Sequence, residues 1–95
     1  MSMTTTSAEL HEALRAVIDP EVGLDIVTMG LVYDVEVDEG KALITHTLTT
    51  PGCPLERYIT EAIQGVAYAQ PGITDVQTRL VWEPRWSPEA MKEAR

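Results

Sequence analysis

Apolar positions recur along the chain with two periods, and the changes of period mark out its elements. Leu10, Ala13, Leu14 and Val17 fall on one side of a helix. Thr6, followed three residues later by Glu9, forms a capping box that starts this helix. Asp19-Pro20 stops it, because the residue before a proline is pushed out of the helical region. From Leu31 the period falls to two: Leu31, Tyr33, Val35 and Val37 alternate with Val32, Asp34, Glu36 and Asp38, as in a half-buried strand. Asp38-Glu39-Gly40-Lys41 makes a short hairpin loop. The returning strand, about 42–50, places Ile44, His46 and Leu48 inward and Thr45, Thr47 and Thr49 outward.

The helical period resumes after PGCP, where Leu55, Ile59, Ala62, Ile63 and Val66 form one stripe closed by Gln70-Pro71-Gly72. Gly65 inside it costs about 1 kcal/mol against Ala, which means either close packing or simple tolerance. A third strand carries Val76, Thr78, Leu80 and Trp82 on one side, with Trp82 expected in the core and Trp86 left open between core and surface. Ser87-Pro88 opens a short last helix carrying Met91. Between the first helix and the first strand, residues 21–30 contain Gly23 and Gly30 and read as a loop with one helical turn from Asp25 to Thr28. The order predicts an α+β fold, a two-layer α-β-β-α-β-α arrangement with a small mixed sheet covered by helices on one face. Residues 1–95 read as a single domain, since a chain of this length supports one core.

Charge narrows the function classes. Seven Lys and Arg stand against fifteen Asp and Glu, a net charge of -8, with no basic cluster. Nucleic acids and anionic membranes are poor partners for such a surface, because their binding draws on basic side chains. No apolar run approaches the roughly 20 residues of a membrane span, and the N-terminus lacks the basic end and hydrophobic stretch of a signal peptide, so a cytoplasmic protein is expected.

The one cysteine, Cys53, rules out an intrachain disulfide. With only His11 and His46 beside it, the chain does not supply a closed cysteine-rich cage for zinc or an Fe-S cluster, so any cluster is shared or passing through. If Pro54 is the first residue of the second helix, Cys53 is its N-cap. The helix dipole and free N–H groups there favour a thiolate, with Glu56 opposing and Arg57 compensating. The other reading is a small buried hydrophobe, the usual fate of a free cysteine. Asp19 and Glu21 flank Pro20 and read either as a cation- or thiol-facing pair or as solvated acids at a helix end. His46 precedes Thr50 by four residues, roughly 13 Å of strand, so a Cys-His dyad needs the loop to fold back and a neutral core imidazole is expected. Thr49 and Thr50 have hydroxyls that suit a thiolate or the loop backbone, but threonine is also an ordinary strand residue.

The segments ALRAVIDPEVGLDIVTMGLVYDVEV, THTLTTPGCPL and LVWEPRWSPEAM follow one another in an order and spacing that resemble the Fe-S cluster assembly (FSCA) domain family, the PaaD-, YitW- and SufT-type metal-sulfur cluster biosynthetic proteins. The resemblance runs from about Leu10 to Met91. It implies a fold like the NifU C-terminal domain and a part in maturing Fe-S proteins. It implies Cys53 of TTPGCP as the reactive thiol and metal or cluster ligand, Asp19 and Glu21 of DPE as the acidic motif, and Thr49, Thr50 and Gly52 as framing residues. A transient Fe-S cluster is the one cofactor implied, and the partners implied are Fe-S assembly proteins and recipient apoproteins, with a homodimer left open. His46 departs from the family, which has an apolar residue there. The cysteine-rich C-terminal extension of longer PaaD-type members is not matched either, so no stably held metal is expected. Three functions compete: an assembly or transfer factor working through Cys53, an adaptor that docks Fe-S machinery without a cluster, and, last, a Cys53 enzyme, which lacks a base at credible distance.

Overall fold

The computed structural model describes residues 5–48, 55–83 and 86–87. Helix α1 spans Ser7–Ala13 and opens on the expected capping box: Thr6 Oγ1 accepts from the Glu9 amide at 3.1 Å, and the Glu9 carboxylate accepts from the Thr6 amide at 3.0 Å. A single 3-10 turn, Leu14–Ala16, tightens its end before Pro20. Two short strands follow, β1 (Ile18–Asp19) and β2 (Leu24–Asp25), paired antiparallel around the Pro20–Gly23 turn. β2 lies where only a loop was expected, and β1 where the end of the first helix was expected. Two-residue strands carry no detectable alternation, and the turn is closed by backbone bonds that leave no trace in hydropathy. The helical turn at Asp25–Thr28 is present, with the Met29 amide bonded to the Asp25 carbonyl at 3.1 Å.

The main sheet has the order β3-β4-β5, from Val32–Asp38, Lys41–His46 and Asp75–Leu80. β3 and β4 are antiparallel and β4 and β5 parallel, so the sheet is mixed as expected. Glu39 and Gly40, both at positive φ (49° and 83°), form the two-residue hairpin turn. The Gly40 carbonyl accepts from the Thr74 amide at 2.8 Å, and a Cβ on Gly40 would stand 2.7 Å from the Gly72 carbonyl oxygen. That approach ties the hairpin to the entry of β5 and leaves room for glycine alone.

Helix α2 (Glu56–Tyr68) connects β4 to β5. Its Ile59, Ile63 and Ala67 share the core with Leu10 of α1, Leu14 of the 3-10 turn, Ala42 and Ile44 of β4, and Ile26, Met29 and Leu31 of the turn that follows β2. Each fully buried Leu or Ile contributes about 1.5–3 kcal/mol. Asp34, Glu36 and Asp38 stay on the exposed side of β3. A Cβ at Gly65 meets nothing, so tolerance explains that residue and close packing does not.

Two expectations are corrected, and the open question of Trp86 is answered. Thr47 is buried rather than outward, because β4 ends at His46 and the Thr47 amide turns to bond the Leu31 carbonyl at 2.8 Å. Trp82 is 38% exposed, whereas Trp86 packs on the core and its Nε1 donates to the Met29 carbonyl at 2.6 Å. The indole N–H finds a partner at position 86, and β5 ends before Trp82. The last helix, from Pro88 through Met91, lies outside the described residues.

Candidate functional site

The acidic ribbon is a built turn. Asp19 is only 7% exposed, and its Oδ1 accepts from the Glu21 amide at 2.9 Å, while its carbonyl accepts from the amides of Gly23 at 2.7 Å and Val22 at 3.3 Å. An aspartate that bonds the amide two residues on fixes a turn by itself, and Gly23 at φ 81° completes it. The expectation of two solvated acids therefore fails for Asp19, whose carboxylate is turned into its own loop. Glu21 is exposed. The apolar side chains flanking the turn, Ile18, Val22 and Leu24, are 42%, 49% and 39% exposed.

Beside the ribbon stands a network that sequence reasoning missed. Asp25 accepts from the Thr28 amide at 2.9 Å and the Thr28 hydroxyl at 2.6 Å, and Arg15 reaches both Thr28 Oγ1 at 3.1 Å and the Asp25 carboxylate at 3.7 Å. Burial pushes the Asp25 carboxyl upward, but the Thr28 hydrogen bonds and the Arg15 guanidinium together hold it below the usual carboxylate range. The Asp-x-x-Thr spacing of a cap was the available signal.

A run of backbone bonds carries this region to the end of β4. The Ile26 amide donates to the Val17 carbonyl at 3.0 Å, Leu31 to Ile26 at 3.0 Å, and Thr47 to Leu31 at 2.8 Å. At that end His46 is 1% exposed, and among the described residues neither ring nitrogen has a hydrogen-bond partner. Burial holds the imidazole neutral and moves its pKa below 6.5, against the pull of the Thr47 backbone and the Glu56 carboxylate. The expected core imidazole is therefore present. Tyr33, the bulged residue of β3, also meets Thr47; burial raises its pKa, the Thr47 hydrogen bond opposes that, and the Glu83 carboxylate adds to it.

Leu48 and Leu55, on either side of the β4–α2 connection, both pack on the core. α2 begins at Glu56 with Leu55 in the cap position, later than the Cys53 cap and Pro54 start that were expected. Cys53 itself, with Thr49, Thr50 and Gly52, lies outside the described residues. Of the expected site, Asp19 and Glu21 are placed, and the structure brings them to the ribbon joined to the end of β4. Among the described residues, no group of three or more His, Cys, Asp or Glu is arranged to hold a metal ion. No helix among them is long and apolar enough to cross a membrane.

These elements define a two-layer α+β domain whose parallel β4–α2–β5 unit has a Pro-Gly-Cys-Pro connection after its first strand. The chain belongs to the iron-sulfur cluster assembly protein family, whose sequence profile matches residues 7–78. It is 45% identical over 80 residues to the Fe-S protein maturation auxiliary factor YitW of Bacillus subtilis strain 168, across 83% of this chain and 78% of that one. It is 45% identical over 76 residues to the Fe-S protein maturation auxiliary factor SufT of Staphylococcus aureus strain USA300, across 79% and 86%. A crystal structure of a domain of unknown function from Bacillus anthracis superposes with a TM-score of 0.86 at 42% identity, covering 93% of this chain and 86% of that one.

Proposed function

We propose that this chain acts as an Fe-S cluster assembly or transfer factor, with Cys53 as a transient ligand of the cluster it passes on or as the contact with its partner. The observation that carries the reading is topological. The chain's one cysteine lies in the connection that leaves the carboxyl end of a parallel strand and enters a helix, which is where open α/β units hold ligands. Family membership over residues 7–78 supports the cargo, and the relatives' description as auxiliary factors supports a role without turnover of a substrate.

A cluster iron takes thiolate ligands, and one chain offers a single such ligand, so the rest come from a partner, a second copy or a free thiol. Loose tenure of that kind suits a factor that must release its cargo. Asp19 and Glu21 divide the acidic work: Asp19 holds the turn, and Glu21 presents a free carboxylate beside it. The partners proposed are Fe-S assembly proteins and recipient apoproteins of the cytoplasm.

An adaptor without a cluster is the second reading, favoured by the exposed Ile18, Val22 and Leu24 around the acidic turn, a surface suited to docking a recipient. Anaerobic reconstitution separates the two. Absorbance near about 400 nm that appears with the native chain and is lost in Cys53→Ser supports the carrier. A chain that restores recipient enzymes with Cys53→Ser in place, and binds no cluster, is an adaptor.

A further inference from the structure

The two outer strands of the sheet treat their free edges differently. On β3 the outward amide of Val37 donates to Ser7 Oγ of α1 at 3.2 Å, and the strand carries a bulge at Tyr33. On β5 the parallel register pairs Lys41 with Asp75 through to His46 with Leu80, and the Val81 amide donates to the His46 carbonyl at 2.9 Å. This phase turns Gln77, Arg79 and Val81 toward β4 and leaves the peptide groups of Val76, Thr78 and Leu80 facing outward. The Val76 amide agrees, since it donates sideways to Tyr68 Oη at 3.3 Å. Among the described residues nothing accepts from the outward amides of Thr78 and Leu80.

Natural edges are blunted by proline, bulges, inward-pointing charges or a covering element. β5 has an unbroken register, no proline, and only Val76, Thr78 and Leu80 on its helix-side face, and the Tyr68 hydroxyl meets only the first of its outward amides. We propose that β5 is a self-pairing edge, and that two copies of this chain join through antiparallel β5 strands about a two-fold axis at Thr78.

The occupant follows from the register. Residues that face the seam pair with residues that face the seam, so Thr78 meets Thr78 of the second copy and Val76 meets Leu80. Each Thr78 amide then donates to the Thr78 carbonyl of the other copy, and each Leu80 amide to the Val76 carbonyl. On the helix side Val76 packs against Leu80. On the open side Arg79 lies opposite Gln77 and diagonal to both Asp75 and Arg79 of the second copy, and no like charges stand directly opposite each other. The strand is complementary to itself in hydrogen bonds and apolar side chains.

The net charge of -8 on each copy opposes association over longer range, so the dimer strengthens as salt screens it. A basic foreign strand on the same edge would show the reverse dependence. The proposal does not involve Cys53, and it stands or falls apart from the cluster-carrier reading.

The test combines sedimentation equilibrium with residue-resolved amide exchange on the whole chain, dilute and concentrated, at low and high salt. A concentration-dependent dimer is expected, favoured by salt. Exchange at Thr78 and Leu80 should slow by at least about tenfold on concentration, while Gln77 and Arg79, already bonded to β4, do not change. Thr78→Pro removes an amide that the fold itself does not use and should leave a folded monomer, as proline is tolerated on edges. Independently of that variant, Arg79→Glu should weaken the dimer by about fivefold and Arg79→Glu with Asp75→Arg should restore it. The proposal is overturned by a chain that stays monomeric when concentrated, by a dimer whose Thr78 and Leu80 amides remain unprotected, or by protection that arises only with a different protein bound.

Discussion

Asp19 and His46 are both buried polar residues in strands linked by one run of backbone bonds, and they are held there in opposite ways. The Asp19 carboxylate and carbonyl take three amides of their own turn. Among the described residues His46 has no hydrogen-bond partner at either ring nitrogen, although it is 1% exposed. The difference separates a polar residue that builds structure from one that the structure merely carries. Removing the first costs stability, because the Glu21 amide loses the carboxylate that fixes the turn, whereas removing the second relieves an unpaid desolvation.

The comparison is open to direct attack, and the largest effect is expected at Asp19. Asp19→Ala should lower stability by about 2 kcal/mol, and Asp19→Asn, which keeps an acceptor, should recover most of it. Denaturant melts of the two variants decide the point; equal losses would mean the carboxylate acts through charge and not through the turn.

His46→Leu should raise stability at pH 7 by about 1 kcal/mol, since a side chain of similar bulk replaces an unpartnered imidazole. A clear loss in the same melts would reveal a bond the ring makes. The pH dependence sharpens this. The folded His46 pKa lies below the ordinary 6.5, so the unfolded chain binds the proton first. Stability is unaffected above pH 6.5, falls as the pH drops below it, and stops falling once the folded imidazole also titrates. The slope within that window is at most about 1.4 kcal/mol per pH unit and should vanish in His46→Leu.

Asp25→Ala should cost about 1 kcal/mol through the loss of Thr28 and Arg15. Because its pKa is lowered from 3.8, that contribution is complete above 3.8 and is lost as the pH falls further, a window well separated from that of His46. The smallest effect belongs to Glu21. Glu21→Ala should change stability by less than about 0.5 kcal/mol while impairing the maturation of Fe-S enzymes, checked by a melt beside a complementation assay. A stability loss as large as that of Asp19→Ala would make the whole motif scaffolding.

Much of the fold was legible because it rests on local rules. The capping box at Thr6 and Glu9, the alternation of β3 and β4, and the stripe Ile59, Ile63 on α2 each follow from spacing that one segment carries within itself. The ribbon at Asp19 was not legible, since a two-residue strand is defined by its partner across the turn. That Trp86, left open by the sequence, is the tryptophan on the core while Trp82 is exposed was not legible for a similar reason: only the packed chain brings the Met29 carbonyl within reach of Trp86. Of the candidate site, residue types and motif were readable, but the burial that gives Asp19 and Glu21 different work was not.

Sequence by itself determined the order of the main helices and strands, which face of each is apolar, the lack of any basic cluster for nucleic acid, and a single thiol between β4 and α2. These follow from covalent order and from side-chain chemistry over a few residues. Tertiary structure alone decided that Asp19 is a turn-builder, and that among the described residues the neutral His46 imidazole and the outward amides of Thr78 and Leu80 have no partner. Hydrogen-bond partners and burial belong to pairs of segments distant in the chain, and no single segment contains the geometry in which they meet.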